Sequence, residues 1–330
     1  MKRGYMCWDQ TLLSAAALER RRGRLISLMR DEALDALVIY GDVNNADELV
    51  DCSNYGPYWC NCAALLTAAG DYWLVTGHNA RVNPWLQEMT GLPEERIVPA
   101  GMKVPEKAAL QLNSLLSGGI VGLIGKYTPA VLARSITDKG FSLRYLGDFA
   151  DALLDERDEA QHSTVEKGHA LMEAAIQAAL ESCEGLSVKQ CCAELEYAIR
   201  SAGAMDVVLL ADTGGGFAPP EEEKAQRWSL YANIQYLGAW LSFAFPMGGG
   251  AQALYARLDE RAGTLRPGPV PLAGKLHTRI LSDSLSSLNR EGENLREGQL
   301  ISLCDQGDPG EYVQKMYRVT AQGAIPLGTR

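Results

Sequence analysis

The sequence predicts a mixed α/β and α+β protein of two domains, a three-layer α/β domain over residues 1–152 and a second domain over residues 153–330. Three observations carry this. Short apolar runs alternate with amphipathic stretches at helical spacing as far as about residue 150. The charged run Asp151 to Glu166 then breaks the alternation. A length of 330 residues also fits two domains of roughly 100–200 residues each.

The elements follow in order. Residues 12–33, rich in Leu, Ala and Arg, predict an amphipathic helix. Leu34 to Tyr40 reads as a buried strand stopped by Gly41 and Asp42. Ala63 to Thr67 and Tyr72 to Thr76 flank Gly70-Asp71 and predict a hairpin. Helices are expected over 82–89, 107–116 and 129–139, the last started by Pro129. Gly119 to Gly125 and Phe141 to Leu146 complete the strands of the first domain. After the charged run, helices are expected over 166–181 and 187–202, with Ser187 as N-cap. Strands are expected at 207–210, 230–245, 300–303 and 317–320, and a helix near 276–289. No repeat of solenoid period and no low-complexity segment occurs.

Composition excludes some classes of function. A net charge of −10 gives no basic face to neutralise phosphates, so no nucleic-acid partner is expected. No run approaches the ~20 apolar residues needed to span a bilayer, so no membrane partner is expected. The start, Met1 to Tyr5, lacks the apolar core of a signal peptide, and a cytoplasmic location is the expectation. The eight cysteines match neither a disulfide framework nor zinc spacing and read as free thiols.

Order and spacing in the second half carry a resemblance. Glu166-Lys167-Gly168 opens a helix. Gly185-Leu186-Ser187 is followed by Glu194-Leu195-Glu196 and Ser201-Ala202-Gly203-Ala204. Tyr236-Leu237-Gly238-Ala239-Trp240, Leu295 to Ile301 around Gly298, and a closing Val319-Thr320 with Gly323 and Leu327 come next. In this order they resemble the creatinase and aminopeptidase P family, whose C-terminal domain has the pita-bread fold. The first half has the length and βα order of that family's N-terminal domain, so the resemblance covers nearly the whole chain. It implies a homodimer acting on a small-molecule substrate, with one subunit's first domain reaching its partner's site.

Metal-using members of that family hold two divalent ions with two Asp, one His and two Glu, because hard cations want anionic oxygens. The two Asp lie about eleven residues apart around the Tyr-x-Gly strand. Here Trp228 to Ala256 contains no Asp, Glu or His. Tyr231 or Asn233 stands at the first position and Ser242 or Ala244 at the second. The first Glu falls near Cys304-Asp305, the second at Gln314, and the histidine can only be His277. The resemblance therefore implies a member without the dinuclear site, and no cofactor is expected. Creatinase itself works without metal through a histidine, but Asp212 to Glu223, where that histidine would lie, has none.

Candidate site residues follow from chemistry and from the resemblance. His78 is an acid or base active near neutral pH, and Arg81 could clamp a carboxylate. Tyr58 and Trp59 could wall a substrate pocket. Tyr236, Gln314 and Arg318 are candidate substrate contacts, and His277 and Asp305 candidate catalytic groups. Asp305 is expected beside Gln314 and Arg318 on facing strands. Asp212 before three glycines reads either as a base at a strand end or as a tight turn. Glu221 to Glu223 reads as a solvated loop, and Met247 to Gly250 as an anion contact or a loop. His162 and His169 are expected to be solvated.

These readings point to a metal-independent hydrolase or lyase acting on a C–N bond of a small amino-acid, guanidino or N-acyl substrate. Two alternatives stay open: a catalytically silent pita-bread domain that binds a peptide or protein, and a divergent Xaa-Pro metallopeptidase.

Overall fold

The computed structural model describes residues 8–125, 127–147, 158–248, 251–269 and 294–328, and the backbone of 277–280. The chain divides into two compact units, Lys2–Glu156 and Arg157–Arg330.

In the first unit, α1 (Ala15–Asp31) starts where the Ser14 hydroxyl accepts from the Ala17 amide. It buries Leu18, Leu25, Leu28 and Met29. The Arg22 guanidinium, on the same face, lies 4.2 Å from the Tyr72 ring centroid. Strand β1 (Ala36–Gly41) follows, then the short α2 (Asp47–Ser53), which the sequence reading missed. The hairpin β2 (Cys62–Thr67) and β3 (Tyr72–Thr76) turns through Gly70 at φ 93°, in the left-handed region. Helix α3 (Asn83–Thr90), β4 (Ile97–Pro99), α4 (Val104–Leu115), β5 (Gly119–Ile124), α5 (Ala130–Thr137) and β6 (Phe141–Tyr145) complete the unit. The sheet order is β4-β3-β2-β1-β5-β6. Every residue of β1 is buried because separate apolar clusters cover the two faces of the sheet.

The second unit opens with α6 (Glu159–Leu180), which begins seven residues before the expected start because Asp158 and Gln161 form a capping box. Ser187 and Gln190 make another for α7 (Val188–Ser201). Strand β7 (Asp206–Asp212) pairs with β8 (Trp228–Tyr236), and β8 with β9 (Ala239–Met247). The continuous strand expected over 230–245 is thus a hairpin, broken by Leu237 and Gly238 at φ 44° and 86°. Then come α8 (Gln252–Thr264), β10 (Gly268–Pro269), β11 (His277–Ile280), β12 (Asn294–Leu295), β13 (Leu300–Gln306), β14 (Tyr312–Thr320) and β15 (Gly323–Pro326). The helix expected from residue 276 is overturned at 277–280, which pair with β13 as a strand. The rest of that expectation lies outside the described residues. The main sheet runs β11-β13-β14-β9-β8-β7.

Alternation decides what this sheet offers to each side. Leu230, Ala232, Ile234, Leu241, Phe243 and Phe245 pack in one cluster with Met172 and Ile176 of α6 and Leu195 and Ile199 of α7. Gly168 lets α6 lie close, since a Cβ there would come within 2.6 Å of the Tyr236 ring. Ile301, Leu303, Val313, Tyr317 and Val319 pack with Leu254 and Leu258 of α8. On β13 and β14 the alternate set meets a helix too, since Leu300 and Met316 join the α6 and α7 cluster and Arg318 pairs with Glu166 of α6.

Candidate active site

Polar residues alternate with the apolar ones along these strands. Register places Tyr231 opposite Ala244, Asn233 opposite Ser242, Ala244 opposite Gln314, and Gln314 opposite Cys304. Cys304 in turn stands opposite His277 in the β11–β13 ladder. One row therefore runs across four strands as Tyr231, Ala244, Gln314 and Cys304. Directly opposed residues on one face have Cβ atoms about 4.5–5.5 Å apart.

The polar residues in and beside this row are buried. Asn233, Gln235, Ser242, Ser302, Cys304 and Gln314 are each at most 5% exposed. Some are satisfied: the Ser242 hydroxyl donates to Asn233 Oδ1 at 3.0 Å, and the Ser242 amide donates to Met316 Sδ at 3.2 Å. Others are not. Among the described residues, Gln314 Nε2 and Oε1, Ser302 Oγ and Gln235 Oε1 have no hydrogen-bond partner. Such groups cost about 1–3 kcal/mol each, and native structures keep few of them without a use. At the seam, β9 and β14 share the single pairing Gln314–Ala244. A cavity of about 30 Å³, lined by His169, Gln177, Phe243, Ala244 and Gln314 among others, opens there, with room for one or two waters.

The loop after β7 walls the other end of the row. Asp212 Oδ1 accepts from the amides of Gly214 and Gly216, both at 2.8 Å. This is the turn reading of Asp212, with the carboxylate spent on its own loop. The turn sets Phe217 against Tyr231 and Tyr312, with ring centroids 5.7 and 4.9 Å apart. Glu222 is likewise structural, bonded to the Ser187 hydroxyl and paired with Lys189.

The other candidates are dispersed. Asp305 is on the helix side, where Arg257 Nε donates to Oδ2 at 2.7 Å. The expectation that it joins Gln314 fails because adjacent strand residues face opposite ways, so Cys304 takes that place. Arg318 pairs with Glu166 of α6 at 3.0 Å, not with Asp305. Tyr236 lies on the helix side against Gly168, not in the row. His169 is buried rather than solvated, and burial pushes it down to about 4, against the opposing pull of Glu173.

In the first unit, His78 is buried and ringed by Tyr55, Tyr58, Trp59 and Trp85 at centroid distances of 4.9–6.1 Å. Among the described residues neither ring nitrogen has a hydrogen-bond partner, and burial lowers its pKa. Tyr58 and Trp59 thus pack against His78, tilted and edge-on, while Arg81 is exposed beyond an Asx turn in which its amide donates to Asn79 Oδ1. The free-thiol expectation also needs correction: Cys183 and Cys191 form a disulfide with Cα atoms 5.0 Å apart. Cys52, Cys60, Cys62, Cys192 and Cys304 are in no disulfide.

The residues present do not fit a pair of divalent cations. The described positions of the row offer phenol, carboxamide, hydroxyl, methyl and thiol groups in place of carboxylates, and hard cations want anionic oxygens. Among the described residues, no group of three or more His, Cys, Asp or Glu side chains gathers. Sequence reasoning named His277 and Gln314 but passed over Cys304. The signal was available in the alternation of Ser302 and Cys304 against Ile301, Leu303 and Asp305.

No protein-family model matches the chain, and no curated protein matches it either. Its fold does match solved structures. An X-Pro aminopeptidase from Thermotoga maritima superposes with TM-score 0.75 at 14% identity, covering 94% of this chain and 97% of that one. A prolidase from Pyrococcus horikoshii gives 0.73 at 12%, with 94% and 98% covered. Aminopeptidase P from E. coli gives 0.71 at 13%, with 96% and 95% covered. Among the described residues, no helix is long and apolar enough to cross a membrane.

Proposed function

We propose that this protein, which has the fold of prolidases and aminopeptidase P over nearly its whole length, is a hydrolase of an amide-type C–N bond in a small polar substrate. Its site is the polar face of the second unit's sheet, and it works without a dinuclear metal centre. The observation that carries this is the buried polar row on that face, with the unpartnered Gln314 carboxamide at its middle. A face with no catalytic or binding task would be filled more cheaply by apolar side chains. The neutral row favours an uncharged amide over a substrate held through its charge.

The test is turnover of a panel of Xaa-Pro dipeptides, N-acyl amino acids and guanidino acids, followed by mass spectrometry. Each is run with chelator and with added Mn²⁺ or Co²⁺. The expected result is hydrolysis of at least one class, unchanged by chelator. Turnover that depends on added metal would replace this reading with a metallopeptidase. A second reading, a silent module that binds a peptide, draws on the burial of the row. It predicts saturable binding of a panel peptide with no product.

A further inference from the structure

We infer that the cavity at the β9–β14 seam holds the water that attacks the substrate, with His169 as the base that takes its proton. The inference rests on the hydrolase reading and adds two residues of α6 to that site. Two observations converge on it.

The first is a polar stripe on a buried helix face. His169, Glu173 and Gln177 stand at i, i+4 and i+8 on α6 and share one side of the helix. Met172 and Ile176 beside them belong to the apolar cluster under the sheet. His169 is 5% exposed, and the Phe243 ring lies against its imidazole at a centroid distance of 4.6 Å. Gly328 closes over the pair: a Cβ there would come within 2.5 Å of Glu173 Oε2 and 2.7 Å of the imidazole. Apolar side chains would fill this face at lower cost.

The second is that unbonded atoms converge on one space. Among the described residues, His169 Nδ1, Gln177 Nε2 and both ends of the Gln314 carboxamide have no hydrogen-bond partner. All three side chains line the cavity of about 30 Å³. A water there can accept from Gln177 Nε2 and donate to His169 Nδ1, two of the two to four partners that a buried water takes. Gln314, on the β14 side of the same cavity and in the polar row, is left for the substrate carbonyl.

The charges fit the role. Burial holds the imidazole neutral at neutral pH, the form that accepts a proton. Glu173 Oε2 lies 4.0 Å from Nδ1 and favours the imidazolium once it forms. Lys315 opposes it, but its ammonium is tied to both oxygens of Asp259 at 3.0 and 3.2 Å.

The chemistry balances with water as the only co-reactant. The water oxygen attacks the carbonyl carbon as one of its protons passes to His169. The C–O bond forms and the C–N bond breaks. His169 gives that proton to the departing nitrogen, leaving a carboxylic acid and an amine.

One test needs no substrate: a crystal structure of the full chain at a resolution that orders waters. A water bonded to both His169 and Gln177 is expected. A dry cavity, or one filled by a side chain, overturns the inference. The other test is kinetic, on whichever panel substrate turns over. His169→Gln, checked for fold by circular dichroism, should lower kcat by about 100-fold or more and leave KM within about twofold. Wild-type kcat/KM should fall as pH drops through about 4, and that limb should be missing in His169→Gln. Gln177→Leu should lower kcat and keep the limb. An unchanged kcat in His169→Gln removes the base and leaves the hydrolase reading standing. If the water is in place but no panel substrate turns over, the hydrolase reading falls and the catalytic role falls with it.

Discussion

Replacing Gln314 by Met should make the protein more stable while removing its activity. The carboxamide is buried with both ends unbonded, and leaving such a group unmade costs about 1–3 kcal/mol. Methionine has nearly the same length and volume, and a volume-conserving exchange of this kind usually costs less than about 1.5 kcal/mol. The net expectation is a gain of about 1–2 kcal/mol. For a unit of this size that raises Tm by roughly 2–8 °C. Thermal and urea unfolding, followed by tryptophan fluorescence, read the change, since Trp228 and Trp240 are buried in the same hairpin. Ser242→Ala is the control. It strips Asn233 Oδ1 of a satisfied hydrogen bond and should lower stability by about 1 kcal/mol. A fall in Tm for Gln314→Met would refute the reasoning. It would mean that the carboxamide is already served, for instance by water in the seam cavity that it lines, and that the row holds no stored cost to exchange for function.

Further expectations follow from other parts of the fold. Gly168→Ala should destabilise by about 1–3 kcal/mol by overpacking, because its Cβ would meet the Tyr236 ring at 2.6 Å; urea midpoints check this. Asp305→Asn should leave turnover intact and cost about 1 kcal/mol or less, since its partner Arg257 is half exposed and screened. His169 takes up a proton only near pH 4 when folded but near about 6.5 when unfolded. Between those values the unfolded chain binds more protons, so stability rises with pH there and is lost on acidification, by up to about 1.4 kcal/mol per pH unit. Urea midpoints at pH near 4.5 and near 6.5 should differ less in His169→Gln. Reduction of the Cys183–Cys191 disulfide opens a short loop and should cost about 2–3 kcal/mol; non-reducing peptide mapping that finds both thiols free would remove that expectation.

The sequence by itself determined most of the first unit's element order and the neutrality of the central strands. Apolar periodicity marked α1, β1, the β2–β3 hairpin and β5, because buried faces demand it. The absence of Asp, Glu and His from Trp228 to Ala256 needed no coordinates to argue against a carboxylate-held metal pair. Short α2, started without a side-chain cap, and amphipathic α8, with none either, gave too little local signal to be marked. What only the tertiary structure decided was which residues meet. Register is set by turns and by burial across strands far apart in sequence, and a shift of one residue exchanges Cys304 for Asp305 on the polar face. Pairing across β11, β13 and β14 put Cys304 between His277 and Gln314. The same pairing sent Asp305 to Arg257, while packing against α6 drew Arg318 to Glu166 and turned Tyr236 toward the helices. Long-range strand pairing is a property of the folded sheet, and no local window of sequence contains it.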